Sequence, residues 1–258
     1  MDLAEGALLI AQSEYADLDR TAYRGRLEDL GEEARQACAG TSGRHTGERL
    51  ERLSRVFAGR WGFHGNRDDY YDPRNTFLND VLDRRTGIPI SLSVVYMEVG
   101  RYAGLDLVGV GMPGHFLVGC CDRNDLYVDA FTEGALLTRA DCAARLHELR
   151  PDVAFRPEFL EPVSPRVILT RMLDNLLEIY LRTERYAKAL VTLEMVLSLQ
   201  ADEPEWLRRR AVVHYRLKNY SRAIADLELY LARATEGPDR EDVTQQLNVL
   251  RQLRAMVN

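Results

Sequence analysis

The chain has 258 residues, of which 46% are hydrophobic and 29% charged, a composition that builds a core without disulfide or metal staples. With 34 Lys and Arg against 40 Asp and Glu, the net charge is −6, which argues against a general nucleic-acid binder, because that role needs a basic field. The opening MDLAEGALLIAQSEYADLD carries Asp2 and Glu5 and lacks a secretory signal's positive region, and no segment reaches about 18 apolar residues. A cytoplasmic protein is therefore expected, with no membrane partner and with Cys38, Cys120, Cys121 and Cys142 reduced.

In chain order, Ala7, Leu8, Ala11 and Tyr15 share one face of a first helix. A second is predicted over Thr21 to Ala37, with Leu27, Leu30 and Ala34 inward, broken by Gly40-Thr41-Ser42-Gly43. Leu50, Leu53, Val56 and Phe57 mark a third. The aromatic and polar loop GFHGNRDDYYDPRN follows, then a short helix over Thr76 to Asp83. Pro89 bars Gly87-Ile88-Pro89-Ile90 from mid-helix. Leu92, Val95, Tyr96, Val99 and Tyr102 then form a strong helical stripe closed by Gly104. Three strands are predicted: Leu107 to Val110, His115 to Val118, and Leu126 to Phe131. The turn residues Asp122 to Asp125 join the last two as a hairpin. A short helix covers 139–147. The stretch 150–165, with Pro151, Pro157, Pro162 and Pro165, reads as a linker.

The last third repeats every 34 residues. Tyr186 recurs as Tyr220, Ala189 as Ala223, Leu190 as Ile224 and Leu193 as Leu227, while Leu173 matches Leu207 and Leu177 matches Ala211. Such helical hairpins bury their faces against neighbours, so the helix after Pro238, with Val243, Leu247, Leu250 and Leu253, is expected to cap them. The hairpins either bind a ligand or pack on the first domain.

Three constellations could carry chemistry. Gly109 to Gly114 matches G-x-G-x-x-G, but a dinucleotide site needs a helix directly after the glycines, and Pro113 followed by His115-Phe116-Leu117-Val118 offers a strand. His115, Cys120, Cys121, Cys142 and His147 include no C-x-x-C pair, and the adjacent Cys120 and Cys121 point to opposite faces of a strand. Small buried hydrophobes are the plainer reading than zinc ligands, and neither metal nor cofactor is expected. The third is Ser91, His115 and Asp129. A nucleophile at Ser91 gains from the free amides of a helix start, and Asp129 on the strand beside His115 would fix its tautomer. A serine there is more commonly an N-cap. Strand alternation puts Asp129 with Tyr127, opposite Val128 and Ala130, and so toward an open cleft.

The run FLNDVLDRRTGIPISLSVVYMEVGRYAGLDLVGVGMPGHFLVG, followed by YVDAF, resembles the SirB-type branch of the transglutaminase-like superfamily, as do ALLIAQSEYADLD and the trailing repeats. The resemblance implies an α+β fold: a helical N-terminal region, a papain-like core with a small antiparallel sheet in residues 1–164, and tetratricopeptide-like hairpins in 165–258. It implies a cysteine at a helix start, a histidine on one strand and an aspartate on the next. His115 in PGHF and Asp129 in YVDAF match the last two. The cysteine has no match: counting from Gly87 lands on Pro89, and a two-residue slip on Ser91. Two functions follow, a non-catalytic scaffold for a protein or peptide partner, and an amide hydrolase or acyl transferase using Ser91, His115 and Asp129.

Overall fold

The computed structural model describes residues 2–40, 46–234 and 240–257. The predicted break at Thr41 to Gly43 and Pro238 lie outside them. The chain forms two compact units, residues 1–172 and 173–258.

In the first unit, α1 (Leu3–Gln12), α2 (Arg20–Ala37), α3 (Thr46–Ser54) and α4 (Leu78–Arg84) surround α5 (Pro89–Tyr102). Asp2 and Asp19 cap α1 and α2, each carboxylate accepting a first-turn amide. Along α5, Leu92, Val94, Val95, Tyr96 and Val99 are all fully buried, as expected of a helix apolar around most of its circumference. A five-stranded antiparallel sheet lies beside it in the order β6-β5-β4-β3-β7. Its strands are β3 (Leu107–Val110), β4 (Leu117–Cys120), β5 (Arg123–Asp129), β6 (Ala135–Thr138) and β7 (Pro162–Val163). The helix α6 (Arg139–Leu149) buries Cys142 and Leu146 in a cluster with Val110, Leu117 and Tyr127. Two residue pairs, β1 (His64–Gly65) and β2 (Thr86–Gly87), join in parallel and tie the aromatic loop to the chain just before α5.

Four readings of the sequence need correction. His115 does not open a strand. Gly114 is left-handed, with φ +74, and the His115 amide donates to the Met112 carbonyl at 3.1 Å, so 112–115 is a turn and pairing starts at Leu117↔Val110. The β4–β5 connection is tighter than Asp122 to Asp125, because β5 begins at Arg123 after a register shift at Gly119. The proline-rich stretch 150–165 is more than a linker: Pro162 and Val163 pair with Val110 and Gly109 as an edge strand, where a proline is tolerated. Asp129 does not face an open cleft but is fully buried, since the sheet is covered on both faces.

The helix α7 (Pro165–Arg182) leads into the second unit, where α8 (Tyr186–Leu199), α9 (Glu205–Arg216), α10 (Tyr220–Arg233) and α11 (Arg240–Val257) follow. Leu207, Ala211, Ala223, Ile224 and Leu227 pack with Val243, Leu247 and Leu250 of α11, which caps the repeats as the spacing requires. Tyr215 stays partly exposed, its ring 6.2 Å from that of Tyr220. Among the described residues no helix is long and apolar enough to cross a membrane.

Candidate functional site

His115 and Asp129 come together. Asp129 ends β5, and its carboxylate organises the turn into β6: Oδ1 accepts the amides of Phe131 and Thr132 at 3.1 and 3.2 Å, and Oδ2 accepts the Thr132 hydroxyl at 2.9 Å. His115 Nε2 lies 3.0 Å from Oδ2, and Arg145 approaches the same oxygen at 3.9 Å. Burial opposes the charge on Asp129, yet His115 and Thr132 outweigh it and hold the carboxyl below its usual range. The two side chains stand in close polar contact, an ion pair only when the imidazole is protonated. The ring N–H does not aim along it, so Nε2 has no aligned hydrogen bond. With Nε2 turned to the acid, Nδ1 is the nitrogen left for another group.

Arg171 fixes the loop that carries His115. Its guanidinium donates to the carbonyls of Met112 and His115 at 3.1 and 3.2 Å and lies over Phe116. On the other side, Phe131 meets His115 edge-to-face at 6.2 Å, Tyr70 meets Phe131 at 6.2 Å, and Tyr71 meets Tyr70 at 5.4 Å. Arg67 sits 5.7 Å over the Phe131 ring. Tyr70 and Tyr71 are 39% and 53% exposed, so the aromatic run is a surface shelf beside the His–Asp pair. Gly65 makes it possible: a Cβ there would stand 2.4 Å from the Phe131 ring.

Ser91 is engaged elsewhere. At the third position of α5 it accepts the Ile88 amide at 3.1 Å, half of a capping box. Its one hydroxyl proton has two carbonyls within reach, Asn75 at 2.5 Å and Ile88 at 3.2 Å, and the shorter contact takes it. The side chain is fully buried. Asn75 in turn donates to the carbonyls of Asp69 and Tyr70 at 2.7 and 3.2 Å and accepts from Asn66. Ser91 thus fastens the start of α5 to the loop that carries the aromatic shelf. No cysteine stands at this helix start, where Pro89 occupies the first turn. Cys142 is buried behind the sheet, its thiol pushed up to about 12 by burial. Cys38 closes α2, Cys120 ends β4, and Cys121 lies in the turn that follows. None of the four cysteines is joined in a disulfide. Among the described residues, no three His, Cys, Asp or Glu side chains converge to hold a metal ion.

The sequence singled out His115 and Asp129, which the structure places side by side, but not Asn75, Phe131, Thr132 and Arg171. The available signal was GFHGNRDDYYDPRN, whose aromatic and amide content exceeds what a plain loop needs. In the second unit, Ala211, Val212 and Tyr215 of α9 face Gln246, Val249 and Leu250 of α11 across a cavity of about 500 Å³.

The family model of the transglutaminase-like superfamily matches residues 21–174, and a tetratricopeptide repeat model matches 176–248. A UPF0162 protein of Xylella fastidiosa (strain Temecula1) is 37% identical over 90% of this chain and 83% of its own length. A UPF0162 protein of Vibrio cholerae is 30% identical over 97% of this chain and 93% of its length. F-box only protein 21 of Mus musculus is 31% identical over 65% of this chain and 28% of its length. No solved structure matches the chain.

Proposed function

The chain belongs to the transglutaminase-like superfamily and, within it, to the UPF0162 family, and from that membership we propose that it holds a peptide or protein segment at the His115 site without cleaving it. The observation that carries this reading is the state of Ser91. Its proton is committed to a backbone carbonyl 2.5 Å away and its oxygen accepts a backbone amide, so attack on a carbonyl would first have to break the cap that positions α5. A nucleophile needs a base within reach and a free lone pair aimed at substrate; Ser91 is committed to the backbone instead. The His115 imidazole, backed by Asp129, then serves as an oriented hydrogen-bonding group, and Tyr70, Tyr71 and Phe131 supply flat contact area at low entropic cost. The tetratricopeptide unit offers a second protein-binding surface, as such repeats do in general.

One observation favours the rival reading, an amide hydrolase or acyl transferase using Ser91, His115 and Asp129. The His–Asp pair is intact, and binding alone does not require a buried carboxylate behind the imidazole. A paired assay on the full chain separates the two. Immobilised protein is challenged with a random peptide library, and the unbound and bound pools are searched by mass spectrometry for cleaved or acyl-transferred products. Retention without turnover, reduced by Phe131→Ala, supports the binding reading. Turnover lost in both Ser91→Ala and His115→Ala overturns it.

A further inference from the structure

A second cavity lies in the first unit, at the opposite end of α5 from Ser91. It measures about 570 Å³ and is lined by the N-terminal start of α1, the last turns of α5, and β3. Its floor is apolar: Leu3, Met97, Leu105 and Ile168 are 9%, 6%, 4% and 2% exposed. Five charged side chains line it, Asp2, Arg24, Glu98, Arg101 and Asp106. Two of the acids are matched within the wall, but unequally. Arg24 holds Asp2 at 2.8 Å, whereas Arg101 reaches Glu98 only at 3.4 Å. The Glu98 side chain is 13% exposed and the Arg101 side chain 63%. The carboxylate is therefore largely stripped of water, while its partner arginine, whose guanidinium lies 4.8 Å over the Tyr102 ring, stands mostly in solvent.

From this arrangement we infer that the cavity binds an aliphatic ammonium or guanidinium, with the charged head on Glu98 and the alkyl stem on the floor formed by Leu3, Met97, Leu105 and Ile168. Four features agree. Three carboxylates against two guanidiniums leave the wall acidic. The last turn of α5 adds the partial negative charge of a helix C-terminus beside Glu98. Burial raises the Glu98 carboxyl despite Arg101 beside it, and a cation bound there would favour its charged form. The volume accommodates a stem of several methylenes but not a folded element. An anion would meet Glu98 and Asp106, and a wholly apolar ligand would leave Glu98 buried against carbon. The required head can come from a free amine or from a lysine or arginine side chain of a partner protein, and the chemistry of recognition is the same for both.

Isothermal titration of the full chain distinguishes these sources. One arm uses 1,5-diaminopentane and agmatine, the other acetyl-Gly-Lys-Gly-amide, with pentanoate, pentanol and the norleucine tripeptide as controls. The expected result is binding in at least one cationic arm, none by the controls, and a loss of about tenfold or more in Glu98→Gln. Arg101→Gln removes the competing internal cation and is expected to bind several-fold more tightly. Binding confined to the free amines identifies a small-molecule site, and binding of the lysyl tripeptide identifies a docking point for a protein side chain. Should Glu98→Gln not fold, judged by its melting curve, the Arg101→Gln arm decides. No cationic binding up to about 10 mM, equal affinity in wild type and Glu98→Gln, or weaker binding in Arg101→Gln overturns the inference.

Discussion

Replacing Ser91 by Ala tests whether this hydroxyl is a structural fastener. The substitution deletes two hydrogen bonds in a fully buried place, one donated to Asn75 and one accepted from the Ile88 amide. The Ile88 amide keeps a long contact to the Asn75 carbonyl at 3.4 Å, so neither group is wholly abandoned. Loss of the cap costs about 1 kcal/mol, and the under-satisfied buried carbonyl adds about 1–2 kcal/mol. A total of about 2–3 kcal/mol in a unit of this size lowers the midpoint of thermal unfolding by roughly 5–10 °C. The two units can unfold separately, so the measurement belongs in a Trp206→Phe background, where the buried Trp61 reports on the first unit. A midpoint unchanged within about 1 °C would show that the Ser91 hydroxyl does not fasten α5, most clearly if a hydrolytic activity vanished at the same time.

Asp129→Asn should destabilise the first unit by about 2–4 kcal/mol, because it removes a buried anion on which two amides, a hydroxyl and His115 converge. The Asp129 carboxyl is depressed in the folded state, so its contribution is present above the unfolded value of about 3.9 and is lost as pH falls through the folded one. Urea unfolding as a function of pH should show that acid limb shrink in the variant. In the second unit, burial lowers His214, against Asp226 and alongside Arg210 and Arg222. Its stabilising effect is present above the unfolded value of about 6.5 and declines as pH falls toward the folded one, a slope that His214→Gln should flatten in a Trp61→Phe chain followed through Trp206. Of the four thiols, Cys121 should react first with a disulfide reagent, since Cys38, Cys120 and Cys142 are buried. Gly65→Ala should displace Phe131 and weaken peptide retention at the His115 site more than it lowers the melting temperature.

The repeat unit was the most legible part of the sequence, because each hairpin is local: Tyr186 and Tyr220, or Ala189 and Ala223, reveal their roles by spacing alone. The α5 stripe was equally plain. The sheet was harder. β6 and β7 are short, and β7 consists of Pro162 and Val163, residues that signal an edge only once β3 is known to lie beside them. His115 and Asp129 were found through their motifs, but the burial of Asp129 was not, since alternation separates two faces without saying that both are covered. The role of Ser91 depended on Asn75, sixteen residues earlier and on no common element. A sequence shows a serine at a helix start; it does not show which distant carbonyl its proton will meet.

Whether Ser91 acts as a nucleophile is decided by active-site labelling. The full chain is incubated with a fluorophosphonate, digested, and mapped by mass spectrometry. No adduct is expected on Ser91 under conditions that label a serine hydrolase run in parallel. A stoichiometric adduct on Ser91 that disappears in His115→Ala would contradict this expectation and establish the catalytic triad instead.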